Sequence, residues 1–450
     1  MSVLFKLKKG FDLKIKGAAE KKLAGETTPQ FYAVKPIDFH GLTPKLAVKP
    51  GDKVLAGTPL FVDKLSPSVH FTSPVSGTVV SVERGDRRKL LEVVVEKAGN
   101  EFFDFGKSDP SRLSRDKIKE ALLLSGLWPV IRQRPYQITA QPEKTPKSIF
   151  ISGFDTAPLA PDINFIAANS SASHLNKGLS ALTKLTDGKV HLILNGKNEA
   201  PDVLKKTEGV EISYFTGPHP AGNVGVQIHH IDPINKGEIV WFVNIQDVIA
   251  IGRFFEEGVY LHQRIVALTG SEVINPQYYK VISGASVSGM VKDNVRDGHL
   301  RYISGNVLTG SKIQPDGYLG YYDSQITVIP EGDKFEFFGW AMPGLDKLSF
   351  SKTFASNIIP KKAYTLDTNL HGGERAFVLT GQYEKVLPMD IMPMQLLKAI
   401  LAQDIDMMEN LGIYEVAEED FALCEFIDAS KIEIQAIIRQ GLDLMKKEMS

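Results

Sequence analysis

Alternation of hydrophobic and polar positions sets the pattern of the N-terminal part of the chain. Phe5, Leu7, Leu13 and Ile15 alternate with Lys6, Lys8, Lys14 and Lys16, which predicts a strand pair with its lysines outward. In the run from Val48 to Phe61, Val48, Val54 and Leu60 supply inward side chains, and Gly51-Asp52 and Gly57 stand where tight turns need a positive φ. Ser73-Pro74 interrupts a second run, Phe71 to Val82, before alternation resumes. From about residue 113 the pattern changes: Ser114-Arg115-Asp116 opens a helix through Leu124 that Gly126 closes. Short apolar runs follow at Ser148–Ile151, Lys189–Leu194, Glu211–Phe215 and Ile239–Val243. Between the first two lies an amphipathic helix with Leu175, Leu179, Leu182 and Leu185 on one side, stopped by Gly188. Strands alternating with helices predict a mainly parallel sheet. Beyond residue 260, Val281–Gly284 and Tyr302–Gly305 are short strands with turn glycines. Ser430-Lys431-Ile432-Glu433 reads as a capping box for a last helix whose Ile434, Ile437, Ile438 and Met445 share a face.

These segments divide the chain into a barrel-sandwich hybrid over 1–105, to which the 3–16 pair is assigned, a Rossmann-like α/β domain over 106–255, a β-rich module over 256–330, a β-rich connecting segment over 331–375 and a helical region over 376–450. A length of 450 residues gives each domain an ample core. The net charge of −1 provides no overall basic field to hold nucleic acid. Charge is uneven, however: residues 1–65 carry twelve lysines against six acidic residues, and residues 376–450 carry six basic against fourteen acidic ones. The two ends therefore either dock on different neighbours or present solvated charged faces. No apolar run reaches the length of a membrane span and the N-terminus lacks the apolar stretch of a signal peptide, so a soluble, unexported chain is expected. The single cysteine, Cys424, rules out an internal disulfide framework and any cysteine-only metal or iron–sulfur site built by this chain alone.

Several motifs come near to known chemistry. The barrel halves resemble biotinyl and lipoyl carriers, and Asp63-Lys64 follows the first half as the modified lysine of a lipoyl carrier would. Leu65 to His70 lengthens the return and adds a proline, which favours a plain surface lysine. Gly305 to Lys312 has its lysine after the serine and is followed by Pro315-Asp316-Gly317 rather than a helix, so it makes no phosphate cradle. Gly284 to Ser288 misses the nucleophile elbow at its last position. His219, His229, His230 and Asp232 lack a metal-ligand spacing, and paired loop and edge histidines are the simpler account.

The run Phe215-Thr216-Gly217-Pro218-His219-Pro220-Ala221-Gly222-Asn223-Val224-Gly225, with Ile228 to Pro233, Val240-Trp241 and Gln246 to Gly252, resembles the A subunits of the bacterial Na+-translocating NADH:quinone oxidoreductases. Lys8 to Leu13, Phe61 to Lys64, Phe71 to Pro74 and Arg301 to Gly310 fit the same family, so the resemblance runs along nearly the whole chain. It implies a peripheral component on the cytoplasmic face of the inner membrane, in a six-subunit complex that oxidises NADH, reduces quinone and exports Na+. It further implies that NADH, FAD, FMN and iron–sulfur groups belong to partner chains, that the membrane-embedded B subunit and the peripheral C subunit are neighbours, and that this chain carries no redox cofactor. The module at 256–330 becomes β-grasp-like, of the SLBB type, and the helical region is related to a ferredoxin-like one.

The family is more distantly similar to the C subunit of the Rnf complex and to the NADH- and FMN-binding subunit of complex I, which place a glycine-rich loop after a Ser-Gly-Leu. Here Ser125-Gly126-Leu127 is followed by Trp128-Pro129-Val130-Ile131-Arg132-Gln133-Arg134-Pro135. Without glycine, and with prolines that lack donors, this loop cannot bring backbone N–H groups to a flavin phosphate or pyrophosphate. Phe154 to Asp162 retains only Asp155 and Asp162 of the relatives' acidic loop, and Cys424 alone stands where the Rnf relative has two four-cysteine motifs. In the resembled complex, FMN is attached to the B and C chains at a threonine in Ser-Gly-Ala-Thr; this chain has Ser283-Gly284-Ala285-Ser286, a sequence that a β-turn explains. What the resemblance leaves is a docking platform, and two readings of the loop stand side by side: Arg132 and Arg134 donate to a quinone carbonyl beside Trp128, or, as the simpler account, Trp128 plugs the core and the arginines pair with acidic side chains. A lipoyl-like carrier or a free-standing quinone-binding module is the competing reading.

Overall fold

In the computed structural model, residues 3–333, 336–339, 341–358, 363–378 and 381–449 are described. The continuous apolar runs form the middle of a seven-stranded sheet in the order Val3–Lys6, Glu211–Thr216, Lys189–Asn195, Ser148–Gly153, Val240–Asn244, Arg132–Arg134 and Ile138–Thr139. The first five strands are parallel, Arg132–Arg134 runs antiparallel to Val240–Asn244, and Ile138–Thr139 runs antiparallel to Arg132–Arg134 in turn. Both faces of the sheet are covered, and so these strands show no polar alternation. Ile149, Ile151, Leu192, Leu194, Trp241 and Val243 share one core with the helices Arg115–Ser125, Ala172–Lys184 and Ile245–Glu257. Phe150, Ile193, Phe215 and Phe242 share the other with Val224–Ile231 and the C-terminal helices Pro393–Leu401 and Ile434–Met449.

The predicted caps explain where the first of these helices begins and ends. Ser114 Oγ accepts from the Lys117 N–H, and Gly126 leaves the helix at a φ of 77°. The helices Ala172–Lys184 and Ile245–Glu257 touch backbone to backbone, since a Cβ on Gly252 would lie 1.6 Å from the His174 carbonyl oxygen and one on Gly178 would lie 2.0 Å from that of Val248.

The barrel-sandwich has a four-stranded layer, Phe31–Val34, Leu90–Lys97, Gly77–Arg84 and Lys53–Val54, facing a three-stranded one, Pro44–Leu46, Pro59–Asp63 and His70–Thr72. Val54, Leu60, Phe61, Phe71 and Val79 are buried between them and Val48 is half-buried. A third sheet of six strands runs Ser311–Ile313, Leu300–Ser304, Gln325–Pro330, Gln263–Thr269, Tyr278–Ile282 and Leu23–Glu26.

Three expectations are corrected. The alternation at 3–16 does not make a barrel strand pair: Val3–Lys6 pairs with Ser213–Thr216 on the edge of the seven-stranded sheet, and Leu13 and Ile15 enter the core of the C-terminal helices. Alternation states which side chains face inward but not which edge accepts the strand, and the open edge at 211–216 supplied the partner. The described residues of 331–375 contain no strand; they form a 3-10 turn at Ala355–Asn357 and a single bridge, Ile15 to Tyr364, with Gly332, Pro343 and Gly344 punctuating the segment. The capping box does not form either. Ser430 Oγ donates to the Ala376 carbonyl at 3.0 Å, Lys431 takes a φ of 58°, and the helix starts only at Ile434.

The close helix pair yields a test. Gly252→Ala should lower stability by about 2–3 kcal/mol through overpacking, although alanine is favoured over glycine in a helix by about 1 kcal/mol. Thermal melts of the two proteins check it, and an unchanged or higher Tm would contradict the backbone contact.

Candidate functional site

The parallel strands leave Ser148–Gly153 toward Lys189–Asn195 on one side, and the chain later returns to lay Val240–Asn244 on the other. The crevice outside the carboxyl ends of strands at such a reversal is the usual ligand site of an open α/β sheet. A cleft of about 1130 Å³ opens there, with Ser152, Asp155 and Asn244 at the strand ends. Its other walls come from Lys35 to His40 of the barrel, Gly305 to Gln325 of the third sheet, and Glu418, Glu419 and Arg439 near the C-terminus. Four parts of the chain therefore build it.

Charge along the walls is mixed. Asp38, Glu92, Asp155, Asp316, Asp323, Glu418 and Glu419 outnumber Lys35, Arg132, Lys312 and Arg439. An excess of carboxylates in a recessed site disfavours a polyanionic ligand such as a dinucleotide. Asp155 opens onto the cleft yet lies deep among protein atoms, and this desolvation raises its pKa against the pull of the Ala157 and Thr156 N–H groups. Burial likewise raises Glu419, with Arg134 opposing.

Of the three residues expected to hold a quinone, the structure brings only Arg132 to the cleft. Its guanidinium lies between the rings of Phe242 and Tyr322, 4.5 and 4.4 Å from their centroids. Among the described residues it has no carboxylate within salt-bridge distance and no hydrogen-bond acceptor, so its donors remain available at the wall. Tyr322 is itself fixed by donating its hydroxyl to the Pro129 carbonyl at 2.7 Å. Arg134, two residues on, is wholly buried and salt-bridged to Asp420 and Glu419, each at 2.9 Å. Trp128 is also fully buried, donating Nε1–H to the Ala140 carbonyl at 2.7 Å and meeting Trp241 edge-on at 5.4 Å between ring centroids.

The segment from Gly217 to Asn223 wraps the far wall. His219 N–H donates to Asp12 Oδ1 at 2.9 Å, and the buried ring has its pKa lowered to about 4 by desolvation. Thr156 Oγ1 accepts from the Gly222 N–H at 2.8 Å and lies 3.2 Å from His219 Nδ1, which matches a neutral ring accepting there. The sequence alone does not single out His219, Asp38 or Tyr322 for the cleft; their only signal is a place after, or opposite, the carboxyl end of a strand.

Comparison with known proteins decides the family. Family profiles described as the NqrA N-terminal barrel-sandwich hybrid domain, the NqrA second alpha/beta domain and the NQRA C-terminal domain match residues 5–98, 113–260 and 265–314. A protein of Yersinia pseudotuberculosis, named as the A subunit of Na(+)-translocating NADH-quinone reductase, is 40% identical over 99% of this chain and 100% of its own length. Proteins of the same name from Rhodopirellula baltica and Pasteurella multocida are each 40% identical over 98% of this chain, covering 98% and 99% of their own lengths. The chain belongs to the NqrA family, the A subunits of Na(+)-translocating NADH-quinone reductases. An NAD+-reducing [NiFe]-hydrogenase aligns over 75% of this chain and 62% of its own at 10% identity and a TM-score of 0.42, too loose to carry an argument.

Within this NqrA-family chain the other candidates do not converge. His229 is held 2.8 Å from Glu415 and accepts from the Asp390 N–H, His230 is held to the Val226 carbonyl, and Asp232 accepts from Ser148 and pairs with Lys147. Among the described residues no group of three or more metal-type side chains forms. Gly305 to Ser311 is a hairpin loop between Leu300–Ser304 and Ser311–Ile313. Ser286 is buried, donating to the Asp316 carbonyl at 2.9 Å. Lys64 is exposed on the turn that joins Pro59–Asp63 to His70–Thr72, and full-length likeness to NqrA leaves the carrier reading unfavoured.

One wall residue makes the site sensitive to pH. Burial raises the Asp38 pKa from 3.8 to about 6, against Lys35 and the Tyr321 N–H, with Asp323 adding to the rise. Folding thus raises this pKa, so its contribution to stability is complete below 3.8 and is lost as pH climbs through about 6. Asp38→Asn keeps the acceptor for Tyr321 and should stabilise the protein by about 1–3 kcal/mol near neutral pH and above, with little effect near the unfolded value. Melts of both proteins across that range check it; a difference that does not widen with pH would contradict it.

Proposed function

We propose that the chain serves as the peripheral A subunit of a sodium-pumping NADH:quinone oxidoreductase on the cytoplasmic face of the membrane, and that its cleft receives a quinone. The function of the whole complex follows from the names of relatives that match end to end. Among the described residues no helix is long and apolar enough to cross a membrane, which fits attachment through partner chains, with the B and C components of the complex as the expected neighbours. The α/β domain is taken as Rossmann-like from the reversal of its parallel strands, and the helices after residue 376 as a ferredoxin-like region stripped of its cysteines. With NADH, flavin and iron–sulfur chemistry left to partners, the role of this chain is to dock its neighbours and hold the quinone.

Arg132 carries the quinone reading. A guanidinium clamped between Phe242 and Tyr322 presents rigid donors toward a recess whose net negative wall suits a neutral ligand with carbonyl acceptors. Asn244 and Asn223 add amides to the same recess.

The two arginines should separate in experiment. Arg132→Ala should weaken binding of a short-chain quinone analogue about 10- to 100-fold, the loss of one charge-assisted hydrogen bond, with little change in Tm. Arg134→Ala should instead lower stability by about 3–5 kcal/mol, because it leaves two carboxylates without their buried counter-charge. Calorimetric titration and thermal melts measure both, and equal analogue affinity in wild type and Arg132→Ala removes the quinone assignment.

A further inference from the structure

One side chain on the cleft wall is left without the partners that its burial calls for. Gln137 lines the cleft and is 8% exposed, yet neither end of its carboxamide has a hydrogen-bond partner among the described residues. Two other buried glutamines are tied at both ends. Gln133 accepts from the Gln141 N–H at 2.9 Å and donates to the Gln141 side chain at 3.4 Å, and Gln246 accepts from the Ile265 N–H at 2.7 Å and donates to the Ile265 carbonyl at 3.1 Å. Burial strips an amide of water, and one that stays unbonded carries the full cost of that loss. In a cavity wall the missing partner comes from whatever fills the cavity, ordered water or a ligand.

The backbone beneath this side chain is held in an unusual shape. Tyr136 and Gln137 take φ values of 79° and 54°, in the left-handed region that glycine enters freely and other residues seldom do. The Tyr136 carbonyl accepts from Arg439 at 3.0 Å, and Arg134, just before the turn, is fixed by Asp420 and Glu419, so the turn is gripped from both sides. Backbone strain that the surroundings hold in place gathers at binding sites. The turn also lies close to Arg132: two residues beyond Gln137, Thr139 pairs with Arg132 across the hairpin, and all three line the cleft.

We propose that Gln137 is a second binding residue for the quinone and holds both of its redox forms: Nε2–H donates to an oxygen of the quinone, and Oε1, once the amide turns over, accepts from a hydroxyl of the quinol. Reduction adds a hydrogen to each carbonyl oxygen, with electrons from NADH through the complex and protons from water, and so turns an acceptor into a donor. A terminal amide follows that change by rotating about its last bond, whereas the guanidinium of Arg132 only donates. The proposal rests on the reading of the cleft as a quinone site and adds to it a residue that serves the oxidised and the reduced ligand alike.

Gln137→Met tests this in the full chain, because methionine keeps the length of the side chain and has no donor and only a weak acceptor. Calorimetric titration with a short-chain quinone analogue and, without oxygen, with its quinol should show each form binding about 3- to 10-fold more weakly than to wild type, with Tm unchanged or higher. Gln137→Gly, which suits the left-handed backbone, guards against a folding defect and should lose affinity for both forms as well. Variants that bind both forms as tightly as wild type, while Arg132→Ala binds them more weakly, overturn the role of Gln137 and leave the quinone reading standing; the amide then holds only water. A loss confined to one form overturns the dual role. Wild type that binds neither form removes the quinone reading, and this proposal with it.

Discussion

A buried cation ties the seven-stranded sheet to the C-terminal segment. Arg134 lies on the next-to-last strand of the seven-stranded sheet, fully excluded from solvent, and its guanidinium reaches Asp420 and Glu419 across 286 and 285 residues of sequence. Asp420 also accepts from the Ala417 N–H at 3.0 Å, and a Cβ on Gly225 would lie 2.4 Å from its carboxylate. Only a glycine at that point lets the acidic turn close against the helix Val224–Ile231. Desolvating such a group is offset only by close, well-directed partners, so the acidic segment is held at one place. That place is the edge of the cleft, where Glu418 and Glu419 form part of the wall.

The second domain joint works in the same way. Asp247, in the first turn of Ile245–Glu257, accepts from His262 at 2.8 Å and pairs with Arg264, all three buried. Arg264 continues to the Tyr322 carbonyl at 3.0 Å and to Ser324 at 3.2 Å. This fixes the backbone of Tyr322, whose ring covers Arg132. The cation facing the cleft is therefore oriented by the joint between the α/β domain and the third sheet. Burial lowers the His262 pKa, so this contact to Asp247 is one with a neutral ring.

A cleft assembled from several domains differs from the glycine-lined nucleotide sites that open sheets commonly carry. Trp128, Val130 and Ile131 are packed into the core beside it. The cleft is bounded by aromatic rings, amides and carboxylates. Such a lining holds a ligand by stacking and a few directed donors rather than by charge.

How much of this was legible follows from the range of each signal. Apolar runs, helix caps such as Ser114 and Gly126, and the turn glycines Gly51 and Gly57 at φ values of 93° and 98° depend on residues within a few positions of one another, and they reappear in the structure. The Gly-Pro-His-Pro-Ala-Gly segment pointed to the family, and in the structure its His219 and Gly222 N–H groups are tied to Asp12 and Thr156, far from it in sequence. Partner choice was not legible. Alternation over 3–16 fits any sheet edge, and only the free side of Glu211–Thr216, some two hundred residues away, decided it. Ser430 had the spacing of a cap but found the Ala376 carbonyl instead. Arg132 and Arg134 occupy equivalent positions of one strand and face the same side, so nothing local distinguishes them. The acidic turn at Glu419 and Asp420 covers one and leaves the other at the cleft, because the cost of an unpaired buried charge is settled by where distant segments pack.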